Sequence, residues 1–195
     1  MPTNDKDRLV RQVRSCGAEF RTREENGPVI EGYFSVFNRD YELWPGAVEQ
    51  VAPGAFRDQL GGDVRALIDH DTRLVLGRTA AGTLTLREDD KGLFGAIKVN
   101  EQDSDAMNLY ARVQRGDVSQ CSFGFDILDE EFTERSDGSV LWTIRKVKLY
   151  EVSVVTFPAY VETAVSARKD EVDTIRRRKL EAWKIEMKER VKKWH

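Results

Sequence analysis

Cysteine and histidine are scarce in this sequence, whose 195 residues include only two of each and no CxxC pair. Two isolated cysteines exclude a disulfide scaffold and are typical of a reducing, cytoplasmic setting. Long apolar runs are also missing, and a run such as VSVVTF is too short to cross a bilayer. The first residues, MPTNDKDRLVRQVR, lack the apolar region of a secretory signal. We therefore expect neither a membrane segment nor a secreted protein.

Charge is unevenly distributed along the chain. The net charge is −3, yet residues 168–195 contain 11 Lys and Arg against 6 Asp and Glu. Apolar side chains recur there every three or four residues, as on one face of a helix: Leu180, Trp183, Met187, Val191 and Trp194. We predict a main domain over residues 1–165 and a basic amphipathic helical tail over residues 166–195. Either the tail has a partner or packing of its own, or it is a solvated helix with no partner.

Short β-type segments and turn formers alternate through the main domain. TLTLRED and GLFGAIKVN flank the turn DDKG and predict a hairpin. A helix is predicted between a capping residue near Asp103 and Gly116. Three further strands are predicted from SQCSFGFDIL, VLWTIRKVKL and YEVSVVTFP. Many strands with few helices indicate a mostly β, α+β fold with flanking helices, built as a closed or nearly closed β-barrel.

The segment SQCSFGFDIL contains the first candidate for chemistry. Alternation along a strand places Cys121, Phe123 and Phe125 on one apolar face. Ser122 and Gly124 then lie on the opposite face. Taken alone, Ser122 is a polar residue on a solvated strand face, and it is also a possible nucleophile.

His70, in IDHDTR, is the second candidate, since His195 is the last residue of the basic tail. Three interpretations of His70 stay open: a hydrogen-bonded structural histidine, a metal ligand with Asp69 and Asp71, or a general base. The metal interpretation lacks a second histidine at ligand spacing. A general base would need a nucleophile and a group that orients the imidazole.

Glu151, in YEVSVV, is a candidate for that orienting group. A carboxylate inside a β-branched strand is costly unless it is paired, and a histidine is one natural partner. The alternative is a glutamate at a strand edge near solvent. Spacing and periodicity alone do not bring Ser122, His70 and Glu151 together.

Several segments in a fixed order carry a family resemblance: EGYFSVFN, VAPGAF, DHD with LGR, GDVSQCSFGF and EVSVVTFPAY. Together they resemble the prohead maturation proteases of tailed bacteriophages, which are distantly akin to assemblin, the herpesvirus capsid maturation protease. The resemblance implies that His70 is the catalytic histidine and Ser122 the nucleophile, with Cys121 in the place of the usual methionine. Glu151 matches the position of a second histidine in the herpesvirus relatives, and Asp71 is its rival as the third residue.

The resemblance also implies a function. It implies a serine endopeptidase that cleaves capsid and scaffold proteins, and itself, inside the assembling prohead in the host cytoplasm. The expected partners are the major capsid protein, the scaffold protein and further copies of the chain. No cofactor, metal, nucleic acid or membrane is expected. The alternatives are a non-enzymatic assembly factor with the same fold and a metal-dependent hydrolase built on Asp69, His70 and Asp71.

Overall fold

The computed structural model describes residues 12–17, 20–24, 27–157 and 162–192. The chain divides into two compact units, Met1–Tyr160 and Val161–His195. The described part of the first unit contains these strands: β1 (Gln12–Gly17), β2 (Arg21–Arg23), β3 (Val29–Val36), β4 (Tyr41–Trp44), β5 (Ala47–Val51), β6 (Arg65–Ile68), β7 (Asp71–Arg78), β8 (Leu84–Glu88), β9 (Gly92–Lys98), β10 (Gln120–Glu134) and β11 (Val140–Val155). Helix α1 spans Ser104–Arg115 in the same unit, and α2 spans Glu162–Lys192 in the second.

The larger sheet has seven strands and is organised around β11. The order is β1-β10-β11-β5-β4, and β10 and β11 form a long antiparallel pair. One edge of β11 pairs in parallel with β5 near its start and with β6 near its end. Strand β7 then pairs antiparallel with β6. The end of β11 is therefore flanked by β10 on one side and by the β6–β7 hairpin on the other.

Strand β11 corrects one prediction from the sequence. VLWTIRKVKL and YEVSVVTFP were expected to form two strands, but residues 140–155 form a single strand. The segment contains no Gly, Pro, Asn or Asp that would favour a turn. One long strand therefore carries residues of the sheet centre and of the candidate site together.

The smaller sheet has the order β2-β3-β9-β8, and its β8–β9 pair is the predicted hairpin. One apolar cluster includes side chains of both sheets and of α1, among them Phe34, Ile97, Leu109 and Phe123. The mostly β, α+β class is thus confirmed. The closed barrel is not confirmed, since no strand pair in the described residues joins the two sheets into a closed ladder.

Helix α1 agrees with its sequence signals. The Asp103 carboxylate accepts hydrogen bonds from the backbone N–H groups of Asp105 and Ala106, which would otherwise lack partners in the first turn. Gly116 ends the helix with a φ of 87°, a left-handed conformation that glycine adopts without strain.

The described part of the second unit is α2, whose 31 residues include much of the predicted tail. Leu180 and Trp183 are exposed on it, and Met187 is half-buried. The side chains of Val191 and Trp194, which complete the predicted stripe, lie outside the described residues. No helix in the described part of the chain is both long and apolar enough to cross a membrane.

Candidate active site

Three polar residues of β10 and β11 form one patch on the sheet. Ser122 lies directly opposite Ser153 in the antiparallel register, and Gly124 lies opposite Glu151. Opposite residues point to the same face of a sheet, so Ser122, Ser153 and Glu151 are neighbours. All three are buried, with Ser122 and Ser153 fully enclosed. The solvated-face interpretation of Ser122 is therefore wrong.

The opposite face of β10 belongs to the core, as strand alternation predicts. Cys121, Phe123 and Phe125 are fully buried in the apolar cluster. The Cys121 thiol donates a hydrogen bond to the backbone carbonyl of Tyr33 at 3.2 Å. The thiol adjacent to Ser122 in sequence is therefore turned away from the polar patch.

His70 lies in the tight turn of the β6–β7 hairpin, rather than at the end of a strand. Ile68 pairs with Asp71, so the turn contains only Asp69 and His70, whose φ angles are 46° and 61°. Positive φ at both positions is characteristic of a type I′ turn. This backbone conformation costs free energy for residues other than glycine, although Asp and His adopt it more readily than most residues.

Asp69 fastens this turn to the end of β11. Its carboxylate accepts hydrogen bonds from the Thr156 backbone N–H at 2.6 Å and from the Thr156 hydroxyl at 3.0 Å. The Asp69 backbone N–H donates to the carbonyl of Val154 at 3.0 Å. These three bonds offset the strain of the turn and fix the backbone that carries the imidazole.

The imidazole of His70 contacts Glu151. Nδ1 lies 2.7 Å from Glu151 Oε1, and the Ser153 hydroxyl donates to Glu151 Oε2 at 2.6 Å. An ionised carboxylate only accepts hydrogen bonds, so this contact places a proton on Nδ1. In the neutral imidazole, Nε2 then carries the free lone pair. Nε2 is buried and has no hydrogen-bond partner in the part of the chain that the structure describes.

The Ser122 hydroxyl is bound to β1. It donates to the carbonyl oxygen of Arg14 at 2.9 Å, and no hydrogen bond joins Ser122 to His70 in the described residues. The Arg14 side chain in turn forms a buried, bidentate ion pair with Glu49 of β5, in which Nη2 lies 2.9 Å from Oε2. Arg14 of β1 is therefore bound both to Ser122 of β10, through its carbonyl, and to Glu49 of β5, through its side chain.

Asp71, the rival third residue, binds a different partner. Its carboxylate pairs with Arg73, with 2.6 Å between Arg73 Nη2 and Asp71 Oδ2. Hydrogen bonds from the Arg73 side chain and from the Arg73 backbone N–H together lower the pKa of Asp71 to about 2. The geometry thus places Glu151, and not Asp71, on His70.

The residues considered for a metal do not converge. Asp69 binds Thr156, Asp71 binds Arg73 and His70 binds Glu151. Across residues 12–17, 20–24, 27–157 and 162–192, no group of three or more His, Cys, Asp or Glu side chains is arranged to hold a metal ion.

Three residues of this region were missed from the sequence: Arg14, Glu49 and Ser153. Ser153 had a usable signal, since it lies two residues after Glu151 and therefore on the same strand face. Arg14 and Glu49 are 35 positions apart, and no local sequence pattern predicts their ion pair.

Comparison with protein families identifies the class of protein to which the chain belongs. The family of caudovirus prohead serine proteases matches residues 17–178, most of the chain. The chain therefore belongs to this family, which confirms the resemblance carried by its motifs.

Individual relatives agree with that assignment. The prohead protease of Enterobacteria phage HK97 is 32% identical over 157 residues, which is 76% of this chain and 64% of the relative. The prohead protease of Escherichia phage T5 is 29% identical over 103 residues, which is 53% of this chain and 45% of the relative. The chain thus spans less than two thirds of the length of either curated relative.

A solved structure shares the fold. The capsid assembly protease gp21 of bacteriophage T4 matches 76% of this chain and 98% of its own, with a TM-score of 0.51 and 14% identity. At this identity the match supports the fold alone.

Proposed function

We propose that this protein is a serine endopeptidase that cleaves capsid and scaffold proteins, and itself, during maturation of a phage prohead. The family assignment provides the reaction class. The observation that carries the residue assignment is the hydrogen bond between His70 and Glu151 on the sheet face that also bears Ser122. We assign Ser122 as the nucleophile, His70 as the general base and Glu151 as the residue that orients His70.

In this mechanism Nε2 of His70 accepts the hydroxyl proton as Ser122 Oγ attacks the scissile carbonyl carbon. The collapse of the tetrahedral intermediate breaks the C–N bond, and the imidazolium donates that proton to the leaving amine. Glu151 holds the proton on Nδ1 and stabilises the imidazolium while it exists. Water then repeats the sequence on the acyl-enzyme, with His70 again acting as the base.

Two changes must precede the attack from the conformation described here. The Ser122 hydroxyl donates to Arg14 and must turn its proton toward His70 Nε2. Ser122 is also fully buried, so neighbouring chain must move before a peptide carbonyl can reach Oγ. We therefore propose that this is a resting conformation, and that binding of substrate or of assembly partners exposes the serine.

The direct test is incubation of the protein with the major capsid protein of its own phage, with and without a chelator. Discrete capsid cleavage products that persist with the chelator are expected. Stable binding to the capsid protein without any cleavage would instead support the non-enzymatic assembly factor. Cleavage abolished by the chelator and restored by a divalent metal would favour the metal-dependent hydrolase.

The third residue is tested by two isosteric substitutions. We expect Glu151→Gln to lower kcat by about 10- to 1,000-fold, since the amide has only one acceptor oxygen to serve Ser153 and His70. Asp71→Asn should stay within about threefold of wild type, because Asp71 is occupied by Arg73. Steady-state kinetics on one peptide substrate measures both. A larger fall in kcat for Asp71→Asn than for Glu151→Gln would mean that Asp71, and not Glu151, orients His70.

The tail is proposed to bind a partner inside the assembling prohead. The stripe on α2 exposes Leu180 and Trp183, and leaving large apolar side chains in water is unfavourable. The surrounding charge is basic, which suits an acidic surface on scaffold or capsid protein more than a second copy of the same basic helix.

Deletion of residues 168–195 is expected to leave cleavage of a short peptide within about threefold of wild type. Incorporation of the protease into proheads, measured by immunoblotting of purified particles, should fall at least tenfold. Circular dichroism of the truncated protein provides the control for folding. If the first unit fails to fold without the tail, the tail is a structural part of that unit and the partner proposal is wrong.

A further inference from the structure

We infer that Ser153 is a positioning residue of the site, acting on His70 through the carboxylate of Glu151. This inference rests on the proposed function, since it assigns Ser153 a part in the same reaction. It is carried by the hydrogen bond of 2.6 Å that the Ser153 hydroxyl donates to Glu151 Oε2.

The carboxylate of Glu151 is bound through both oxygens. Oε1 faces His70 Nδ1 and Oε2 accepts from Ser153, with Glu151 and Ser153 both buried. A glutamate side chain is flexible, and a buried carboxylate oxygen without a donor is costly. Removal of the Ser153 hydroxyl leaves Oε2 short of that donor and allows the carboxylate to rotate. Rotation moves Oε1 away from Nδ1, so the orientation of the imidazole is lost with it.

The location of Ser153 makes this role specific. Residues two apart on one strand share a face and lie about 6.6 Å apart along the backbone, which a bent glutamate side chain can span to reach the hydroxyl. Ser153 is also directly opposite Ser122 in the sheet. The proposed nucleophile, the orienting carboxylate and its positioning hydroxyl thus occupy adjacent positions of two paired strands.

The first arm of the test is kinetic. Ser153→Ala is expected to lower kcat by roughly 10- to 100-fold with KM within about twofold, as for loss of one hydrogen bond to a charged group. Ser153→Thr retains the hydroxyl and should recover most of the loss. Ser153→Cys keeps the side-chain volume but has only a weak hydrogen-bond donor, so its kcat should resemble that of Ser153→Ala. If Ser153→Ala does not fold, Ser153→Cys is used in its place.

A matched control is available in β3. Ser35 is also a fully buried strand serine, but its hydroxyl has no hydrogen-bond partner among the residues that the structure describes. Ser35→Ala should therefore leave kcat and KM at wild-type values. A similar fall in kcat for Ser35→Ala and Ser153→Ala would mean a general packing effect and would overturn the inference.

The second arm measures the hydrogen bond between His70 and Glu151 by NMR and does not depend on proteolysis. The chain has only two histidines, so ¹⁵N-histidine labelling with a His195→Ala reference assigns the imidazole signals of His70. The hydrogen-bonded Nδ1–H proton should give a downfield resonance in wild type, Ser35→Ala and Ser153→Thr. It should shift or disappear in Ser153→Ala and Ser153→Cys.

The two arms separate failure of this inference from failure of the proposed function. An unchanged Nδ1–H resonance in Ser153→Ala overturns the positioning role, whatever happens to activity. A changed KM with unchanged kcat also overturns it, since Ser153 would then contact substrate. If wild type proves to cleave nothing, the endopeptidase assignment fails. In that case, an Nδ1–H resonance that changes when Ser153 is substituted would still support the inference that Ser153 positions His70.

Discussion

Ser122→Ala is expected to lower kcat for peptide cleavage by about four to six orders of magnitude, because alanine has no group that can attack the carbonyl. The effect should appear in kcat far more than in KM, since alanine leaves the binding surfaces unchanged. The measurement is single-turnover cleavage of a fluorogenic peptide taken from the capsid cleavage site. Cleavage by the variant at the wild-type rate would rule out Ser122 as the nucleophile.

The fold should survive this substitution. The change removes one buried hydrogen bond, from the Ser122 hydroxyl to the Arg14 carbonyl, whose net contribution is about 1 kcal/mol. Thermal unfolding followed by circular dichroism measures the loss. The matched control is Cys121→Ala, the adjacent and equally buried residue on the core face. It should lose about 1 kcal/mol of stability through packing and retain full proteolysis.

The sequence predicts the faces of β10 well and their burial poorly. Alternation of apolar and polar residues correctly assigns Phe123 to the core and Ser122 to the other side. Alternation carries no information about what covers the second face. Ser122 is fully buried and lies between β1 and β11 in the sheet, and both strand pairings join residues far apart in the chain.

The pairing of His70 with Glu151 depends on two features with different sequence signals. The parallel alignment of β6 with the end of β11 brings His70 to Glu151, 81 positions later in the chain, and no local pattern encodes that alignment. The turn at Asp69 and His70 is hidden because it contains no glycine, the residue that usually marks such a turn. The resemblance identified His70, but only the geometry selects Glu151 over Asp71 as its neighbour.

The predicted barrel shows a similar limit. Strand number and hairpin signals gave the mostly β class correctly, because they depend on local alternation and turn residues. Whether sheets close depends on edge pairings between distant strands. In the described residues the seven-stranded and four-stranded sheets remain separate ladders that share one apolar core.

His70→Ala is expected to be as damaging as Ser122→Ala, and the double variant should be little worse than either. In the proposed mechanism the serine is a weak nucleophile until the imidazole accepts its proton, so the two residues should act as one unit. Residues that act as a unit have strongly non-additive effects on kcat. Single-turnover rates for wild type, both single variants and the double variant form a double-mutant cycle, which measures how far the two effects depart from additivity.

A second variant at His70 is needed in this double-mutant cycle, because the backbone conformation at this position limits which residues fit. Its φ of 61° is left-handed, and alanine tolerates that conformation poorly. Asparagine adopts it more readily and has no imidazole, so His70→Asn should keep the turn while removing the base. The bond from the Thr156 backbone N–H to Asp69, followed by NMR, reports whether the turn is intact. If His70→Asn keeps the turn and the fall in kcat is additive with that of Ser122→Ala, the two residues act independently, and the proton-transfer role of His70 is wrong.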